Sequence, residues 1–175
     1  METVTKTIWA IDPTHSEVGF KVRHMMISTV KGHFDSFEAT VESEKEDFSD
    51  AEVHVAIDTA SVNTKNSDRD GHLQSDDFFY SAQYPKMTFK STKFEGDKLH
   101  GELSIRDITK EVVLDVEYNG KAVDPYGQTK AGFEIFGEID RKEFGLQWSA
   151  VTEAGNIVVS DKVKLHIDAQ FVKQG

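Results

Sequence analysis

The sequence predicts an all-β fold, a single eight-stranded antiparallel barrel with one or two short helices in an inserted cap. Apolar and polar residues alternate with a period of two over most of the chain, turn sequences separate these segments, and no long segment has a helical period. Strands with one apolar face bury it in a sandwich or in a barrel. Long strands with short turns favour the barrel, whose closure removes exposed edges; a sandwich is the alternative.

Two features mark strand boundaries near the N-terminus. The first predicted strand, residues 8–11, ends before Pro13, which lacks a backbone donor and fixes φ. Further along, Phe34 and Phe37 are an odd number of residues apart, so they share one face of the sheet only if the strand is irregular. We predict that Gly32 is the position of this bend or bulge.

Most of the remaining strands are joined by short turns. Residues 95–98 predict a tight hairpin around Gly96, Asn119-Gly120 is the strongest turn signal in the chain, and residues 124–127 predict another turn. Alternating apolar residues predict strands at residues 18–22, 53–57, 87–94, 99–105, 112–118, 131–139 and 163–171.

The segment 61–85 is the longest connection between two predicted strands, and we predict that it forms an ordered cap. Connections in compact domains usually have about 4 to 6 residues, and a much longer one is typically a lid, a binding loop or disordered. Phe78 and Phe79 are apolar anchors that a solvated linker would lack. Short helices are predicted near residues 66–74 and 75–80.

Composition excludes several classes of protein. A chain of 175 residues without a linker fits one domain, residues 1–175, and a net charge of −11 disfavours nucleic acid as a partner. No apolar run approaches the roughly 20 residues of a transmembrane helix, and the lack of Cys excludes disulfides and thiolate zinc. Because no basic and apolar leader opens the chain, we expect a cytoplasmic protein; a mature secreted or periplasmic form is the alternative.

Five segments form an ordered set over nearly the whole chain. They are residues 9–34, which begin Trp-Ala-Ile-Asp-Pro-Thr-His-Ser; 61–73, which end Arg-Asp-Gly-His-Leu; 84–91; 101–112; and 141–148. In this order they resemble the YceI-like, polyisoprenoid-binding family, from which the chain departs at Asp107 and Glu111. The resemblance implies a lipocalin-like barrel that binds, sequesters or transports a long-chain amphiphilic lipid, such as an isoprenoid quinone or a polyprenyl phosphate, without catalysis and without a required cofactor.

The predicted lining of such a cavity is mostly aromatic. A barrel of this size is either filled by its side chains or holds one small ligand. Gly101, Gly137 and Ala169 on the inward faces favour a cavity, unless bulky residues pack against them. The predicted ligand-binding residues are Phe20, Val22, Phe34, Phe37, Leu73, Phe78, Phe79, Phe89, Leu103, Ile105, Phe133, Ile135, Phe144 and Trp148.

Three polar residues of the cap are candidates for contact with a lipid head group. Arg69 carries the planar fork that suits a phosphate or a quinone oxygen, and Asp70 and His72 lie beside it in the sequence. In the structural alternative, Asp70 pairs with Arg69 or caps a short helix, and His72 bonds to a strand end.

Two further classes of function are weaker alternatives. For a small hydrolase or isomerase acting on such a lipid, Asp70 and His72 are candidates to orient one another and Ser16 or Ser75 is the candidate nucleophile, but no Gly-x-Ser-x-Gly motif is present. A packed barrel would serve only as an interaction module. The candidates for a homodimer contact, if they do not line or close the cavity, are Phe78, Phe79, Phe144, Leu146 and Trp148. The seven histidines lack a metal-binding spacing, so we expect no metal.

Overall fold

The computed structural model describes residues 6–148 and 159–174, and these residues form eleven strand segments and one α-helix. The strands are β1 Thr7–Ile11, β2 Glu17–His24, β3 Ser28–Phe34, β4 Phe37–Ser43, β5 Glu52–Asp58, β6 Val62–Asn63, β7 Lys86–Glu95, β8 Lys98–Ile105, β9 Ile108–Val123, β10 Thr129–Asp140 and β11 Val159–Gln174; the helix is α1 Ser67–Gln74. In these two ranges, no helix has the length and apolar character that crossing a membrane requires.

The strands close into an eight-stranded antiparallel barrel, as predicted. Hydrogen-bonded neighbours follow the order β1, β4, β5, β7, β8, β9, β10 and β11, and β11 pairs again with β1. The long strand β11 pairs with β2 along its first half and with β1 along its second half, so β1 and β2 act as one bent strand. In the same way β3 continues β4, and the short strand β6 pairs with β3.

The irregularity predicted between Phe34 and Phe37 exists, but its predicted position at Gly32 is wrong. Gly32 pairs regularly with Phe20, whose ring covers the glycine. The strand instead breaks at residues 35–36, where the backbone N–H of Asp35 donates to the carbonyl of Ser61 at 3.1 Å. Residues 35–36 lie outside the ladder and interrupt the inward–outward alternation of side chains between β3 and β4. Phe34 and Phe37 therefore both face the interior.

The predicted turn at Asn119-Gly120 is also wrong, because β9 runs straight through these residues. Tyr118 lies opposite Phe133 and Gly120 lies opposite Gly132, so Asn119 is the extra residue of a β-bulge. Gly120 has a φ of +102°, which a residue with a side chain rarely adopts. The chain turns at the next predicted site, residues 124–127.

The cap is ordered and contains one helix. The side chain of Asn66 accepts from the backbone N–H of Arg69 at 3.0 Å and caps the start of α1. The second predicted helix does not form: the N–H groups of Phe78 and Tyr80 both donate to the carbonyl of Ser75, which makes tight turns. These turns direct the aromatic residues of the cap towards the barrel.

An aromatic cluster fills the end of the barrel opposite the cap. We call it the plug; its centre is Phe48, 2% exposed, whose ring lies 5.4 Å from that of Trp9 and 5.2 Å from that of Phe133. The loop that carries Phe48 is held by Asp50, which accepts from the Ser43 hydroxyl at 2.7 Å and from the Glu44 N–H at 2.8 Å. The interior is therefore bounded by the plug at one end and by the cap at the other.

Candidate ligand-binding cavity

The barrel encloses a cavity of about 340 Å³ between the plug and the cap. Its walls reach from Ile11 and Phe171 beside the plug to Leu73 and Phe79 in the cap. Ligand pockets usually have volumes of about 300 to 1,000 Å³ and mostly apolar walls. The side chains of the barrel therefore leave room for a guest instead of meeting on the axis.

Most of the predicted ligand-binding residues line this cavity, although their contact with a ligand stays a prediction. Phe133 and Phe144 do not line it: Phe133 belongs to the plug, and Phe144 is buried in the turn that follows β10. The twelve that line it are Phe20, Val22, Phe34, Phe37, Leu73, Phe78, Phe79, Phe89, Leu103, Ile105, Ile135 and Trp148.

Small residues contribute less to the cavity than the sequence suggested. A side chain at Gly101 would collide with the ring of Phe89, and one at Gly137 would collide with Leu114, so both glycines are covered by bulky neighbours. Only Ala169 of the three lines the cavity. For the two glycines, close packing against a bulky residue is the correct interpretation.

Aliphatic side chains supply much of the wall, and the emphasis on phenylalanine missed them. Their signal was present in the sequence, because they occupy the inward positions of the same alternating strands. They include Val53, Val55, Ile57, Leu99, Val112, Ile139, Val163, Leu165 and Ile167.

Thr64 ties two of the predicted head-group residues together. The Nε and Nη2 groups of Arg69 donate to the hydroxyl and the carbonyl of Thr64 at 2.8 and 2.7 Å. Asp70 accepts from the backbone N–H and the hydroxyl of Thr64 at 2.8 and 2.6 Å. Arg69 lines the cavity, whereas Asp70 secures the cap to the end of β6. The direct Arg69–Asp70 pair of the structural alternative is replaced by this shared partner.

His72 lies at the rim of the cavity between aromatic residues. Its ring is 4.9 Å from that of Trp148 and 5.1 Å from that of Phe78, and its Nε2 is 2.8 Å from a carboxylate oxygen of Asp77. Asp77, rather than Asp70 or a strand end, is thus its polar partner. The Ser75 hydroxyl donates to the His72 carbonyl at 2.6 Å. Asp70 and His72 therefore do not orient one another.

Arg141, which was not selected from the sequence, joins the two chain segments at the rim. Its guanidinium is 3% exposed and donates to the carbonyls of Leu146 and Trp148, each at 2.7 Å, and to those of Ser160 and Val159 at 2.9 and 3.3 Å. Burial lowers the pKa of Arg141, although an arginine keeps its charge at any physiological pH. Because its partners are backbone carbonyls, no sequence motif could indicate this role.

Arg106 fastens the cap to the rest of the barrel. From the β8–β9 turn it donates to the carbonyls of Asp76 and Phe78 at 3.1 and 3.3 Å, and its guanidinium lies 5.5 Å from the ring centre of Tyr84. The cap is thus held at Thr64 on one side and at Arg106 on the other.

The charged residues that line the cavity are all basic. Arg23, His24, Arg69, His72 and Arg141 are among the lining residues, and no Asp or Glu of the described chain is. This is unexpected in a sequence with 31 acidic residues against 20 Lys and Arg. The rim therefore favours an anionic or oxygen-rich group over a cationic one. Within residues 6–148 and 159–174, no three His, Asp or Glu side chains converge as metal ligands would.

Comparison with known proteins identifies the family. The model of the YceI-like domain matches residues 9–171. This chain belongs to the YceI-like family. A UPF0312 protein of Staphylococcus aureus strain N315 is 37% identical over 166 residues, which are 94% of this chain and 97% of the relative.

Three solved structures have the same barrel. A YceI protein of Campylobacter jejuni has a TM-score of 0.74 and 36% identity, with 100% of both chains covered. BcnA of Burkholderia cenocepacia has a TM-score of 0.78 at 20% identity and covers 91% of this chain and 98% of its own. A polyisoprenoid-binding domain of Saccharophagus degradans has a TM-score of 0.67 at 16% identity and covers 95% and 98%. The last two show that the fold is shared.

Proposed function

We propose that this YceI-like protein binds and carries a long-chain amphiphilic lipid without transforming it. The preferred guest is a polyisoprenoid with an anionic head, of the polyprenyl phosphate type. The observation that carries this proposal is the apolar cavity, which ends at the aromatic plug and has only basic charged residues in its lining.

The cavity suits the tail of such a lipid. Each methylene that leaves water contributes about 0.8 kcal/mol before ordering costs are subtracted. Aliphatic and aromatic walls offer a branched hydrocarbon contact along the whole length of the cavity, from Phe79 in the cap to Phe171 beside the plug. The plug sets the depth to which the tail reaches.

The rim suits the head group. Thr64 already holds Arg69 in position, so a guest does not have to order this side chain when it binds. His72 is similarly held by Asp77. A phosphate or a quinone oxygen at this rim would meet basic groups of fixed geometry. Asp70 does not contact the head group in this proposal; it holds Thr64 and so secures the cap.

Known relatives support the class of ligand. The Saccharophagus degradans domain, which has the same fold, is described as polyisoprenoid-binding. We extend that class of ligand to this chain because its own cavity has the apolar walls that such a guest requires.

The direct test is mass spectrometry of organic extracts from the purified protein, followed by titration with a polyprenyl phosphate and with the corresponding polyprenol. The fluorescence of Trp148 reports occupancy in a Trp9→Phe background, because Trp9 lies in the plug and Trp148 at the rim. We expect a co-purified long-chain lipid and tighter binding of the phosphate. An extract without lipid, together with an unchanged Trp148 signal, would contradict the proposal; a chemically altered lipid would show catalysis.

A matched pair of substitutions on β5 assigns the binding to the cavity. Val55 lines the cavity, whereas the side chain of the adjacent His54 is exposed. Val55→Phe therefore occupies part of the cavity, and His54→Phe places the same ring outside the barrel. Exclusion of about two methylenes costs roughly 1.6 kcal/mol, so Val55→Phe should weaken binding about tenfold or more. His54→Phe should bind like the parent protein, and equal effects of the two substitutions would place the lipid outside the barrel.

A further inference from the structure

The hairpin formed by β2 and β3 presents an apolar tip at the cap end of the barrel, beside the rim of the cavity. Met26 is 57% exposed and Ile27 is 77% exposed. Met25 and Met26 have φ values of +52° and +60°, a conformation in which hairpin turns normally use Asn or Gly. Strained residues of this kind cluster at functional sites. Packing within the chain does not account for apolar side chains at such a position.

Three lysines form a row on the outer face of the same hairpin. Lys164 on β11 lies opposite Lys21 on β2, and Lys21 lies opposite Lys31 on β3. None of the three forms an ion pair with a carboxylate among the residues that the structure describes. Like charges directly opposite each other destabilise a sheet. On its other side Lys164 lies opposite Glu138 on β10, whereas Lys21 has a lysine on both sides. In a chain with a net charge of −11, this cluster of like charges favours an anionic partner.

The tip and the lysine row belong to the same structural unit as the cavity mouth. Val22 and Val30, which lie opposite each other on β2 and β3, line the cavity, and so does His24 beside the tip. Arg23 donates to the carbonyl of Met26 at 3.1 Å and so connects the basic face with the tip. We call Lys21, Lys31, Lys164, Met26 and Ile27 the hairpin face.

We propose that the hairpin face docks reversibly on an anionic phospholipid bilayer, with Met26 and Ile27 in the interfacial layer and the lysines over the lipid phosphates. Apolar residues beside basic ones are typical of surfaces that bind at a membrane interface, where apolar burial and charge attraction add. The role of this contact rests on the proposed function, because docking would bring the cavity mouth to the surface where a lipid guest leaves or enters the bilayer.

The hairpin at the other end of the barrel differs in charge and serves as a control. The β9–β10 hairpin also exposes apolar residues, with Val123 69% and Tyr126 89% exposed. Its lysines near the turn are paired: Lys130 lies 3.4 Å from Asp124 and 3.3 Å from Asp12, and Lys121 lies 2.6 Å from Glu46. Exposed apolar residues occur there without an unpaired basic row, and that end lies next to the plug.

Vesicle flotation tests the proposal with the full chain. Vesicles of phosphatidylglycerol and phosphatidylcholine in equal parts are compared with vesicles of phosphatidylcholine alone, and neither contains a polyprenyl lipid, so the result is independent of polyprenyl binding. We expect binding to the anionic vesicles alone and its loss in high salt, which screens charges beyond a few ångströms. Binding to both kinds of vesicle alike, or to neither, would overturn the proposal.

Three sets of substitutions locate the contact. Lys21→Gln with Lys31→Gln should lower the partition coefficient roughly 25-fold, because each basic residue near an anionic surface contributes roughly fivefold. This pair removes a like-charge contact, and Met26→Asn with Ile27→Thr suits the turn better than the natural residues, so both variants should fold, as thermal melting would verify. The tip variant should also bind more weakly, whereas Val123→Thr with Tyr126→Ser should not change binding. Equal partitioning of all three variants and the parent would overturn the proposal.

Discussion

Single polar side chains fix the chain where barrel strands bend. Asp12 lies between β1 and β2, at the corner where the first strand of the barrel changes direction along β11. Its carboxylate accepts from the hydroxyl and the N–H of Thr14 at 2.7 and 3.0 Å, and it contacts His15 at 2.8 Å and Lys130 at 3.3 Å. The hydrogen bond from the Thr14 side chain, followed by that from His15, holds the pKa of Asp12 well below its usual range.

This shift predicts a contribution of Asp12 to acid stability. Because the folded-state pKa lies below the ordinary value of 3.8, the stabilisation is complete above that value and is lost as the pH falls through the folded-state pKa. Asp12→Asn keeps an oxygen that accepts from the Thr14 N–H but removes the negative charge that His15 and Lys130 contact, so it should lower the free energy of unfolding by about 1 kcal/mol at neutral pH. It should also reduce the slope of stability against pH below about 4.

Urea unfolding at a series of pH values measures both effects. Asp107→Asn in the β8–β9 turn is the matched control, since it is the same substitution at an exposed carboxylate. If Asp12→Asn and Asp107→Asn unfold alike at neutral pH, the charge of Asp12 does not stabilise this corner of the barrel.

The cap illustrates how an element is held in place by very few contacts. Its helix α1 has eight residues, none of them buried, so neither its length nor its packing makes it stable alone. Asn66 caps the start of the helix, and Thr64 bonds to both Arg69 and Asp70. The helix therefore depends on the residues immediately before it.

Thr64→Val should loosen the cap and spare the barrel. The substitution keeps the shape of the side chain but removes the hydroxyl that serves Arg69 and Asp70, and unmade hydrogen bonds of part-buried groups cost about 1 to 3 kcal/mol. Hydrogen exchange followed by mass spectrometry should show faster exchange in Ser67–Gln74 and unchanged exchange in β8 to β10. Thr88→Val, at an exposed position of β7, is the control; an equal change in both variants would argue against Thr64 as the anchor.

Sequence patterns predicted the strands and the location of the cap because both depend on local alternation and turn chemistry. They misplaced two irregularities for a physical reason: the conformational freedom of Gly120 suits a bulge as well as a turn, and the polar pair at residues 35–36 breaks a strand without a glycine. The wall of the cavity followed from the inward positions. The roles of Arg141 and Arg106 could not be predicted in this way, because their guanidinium groups donate to backbone carbonyls, which any residue type carries.

At the scale of the whole molecule, the barrel has two dissimilar ends. One end holds the plug, in which Phe48, Trp9, Tyr118 and Phe133 pack edge to face or stacked. The other end holds the cap, the hairpin tip and the basic rim. Phe48 has a φ of +62°, which is unfavourable for a bulky residue and indicates that the surrounding contacts hold it in place.

Phe48→Ala should destabilise the whole barrel. Removal of a buried phenylalanine costs about 3 to 5 kcal/mol, and the ring of Phe48 contacts three others. Urea unfolding followed by circular dichroism measures this loss. Phe136→Ala is the matched control, because Phe136 is an exposed phenylalanine on the barrel wall, and it should cost less than about 1 kcal/mol. A small loss for Phe48→Ala would mean that the plug is not needed for the closed end.

The plug also determines the route of exchange. Because the plug closes one end of the cavity, a ligand cannot pass through the barrel and must leave by the end at which it entered. The terminal isoprene unit of the proposed lipid would be the first part to enter and the last to leave, and its polar head would stay at the rim of the cavity. If the protein carries a lipid as proposed, donor and acceptor would have to use the same rim one after the other.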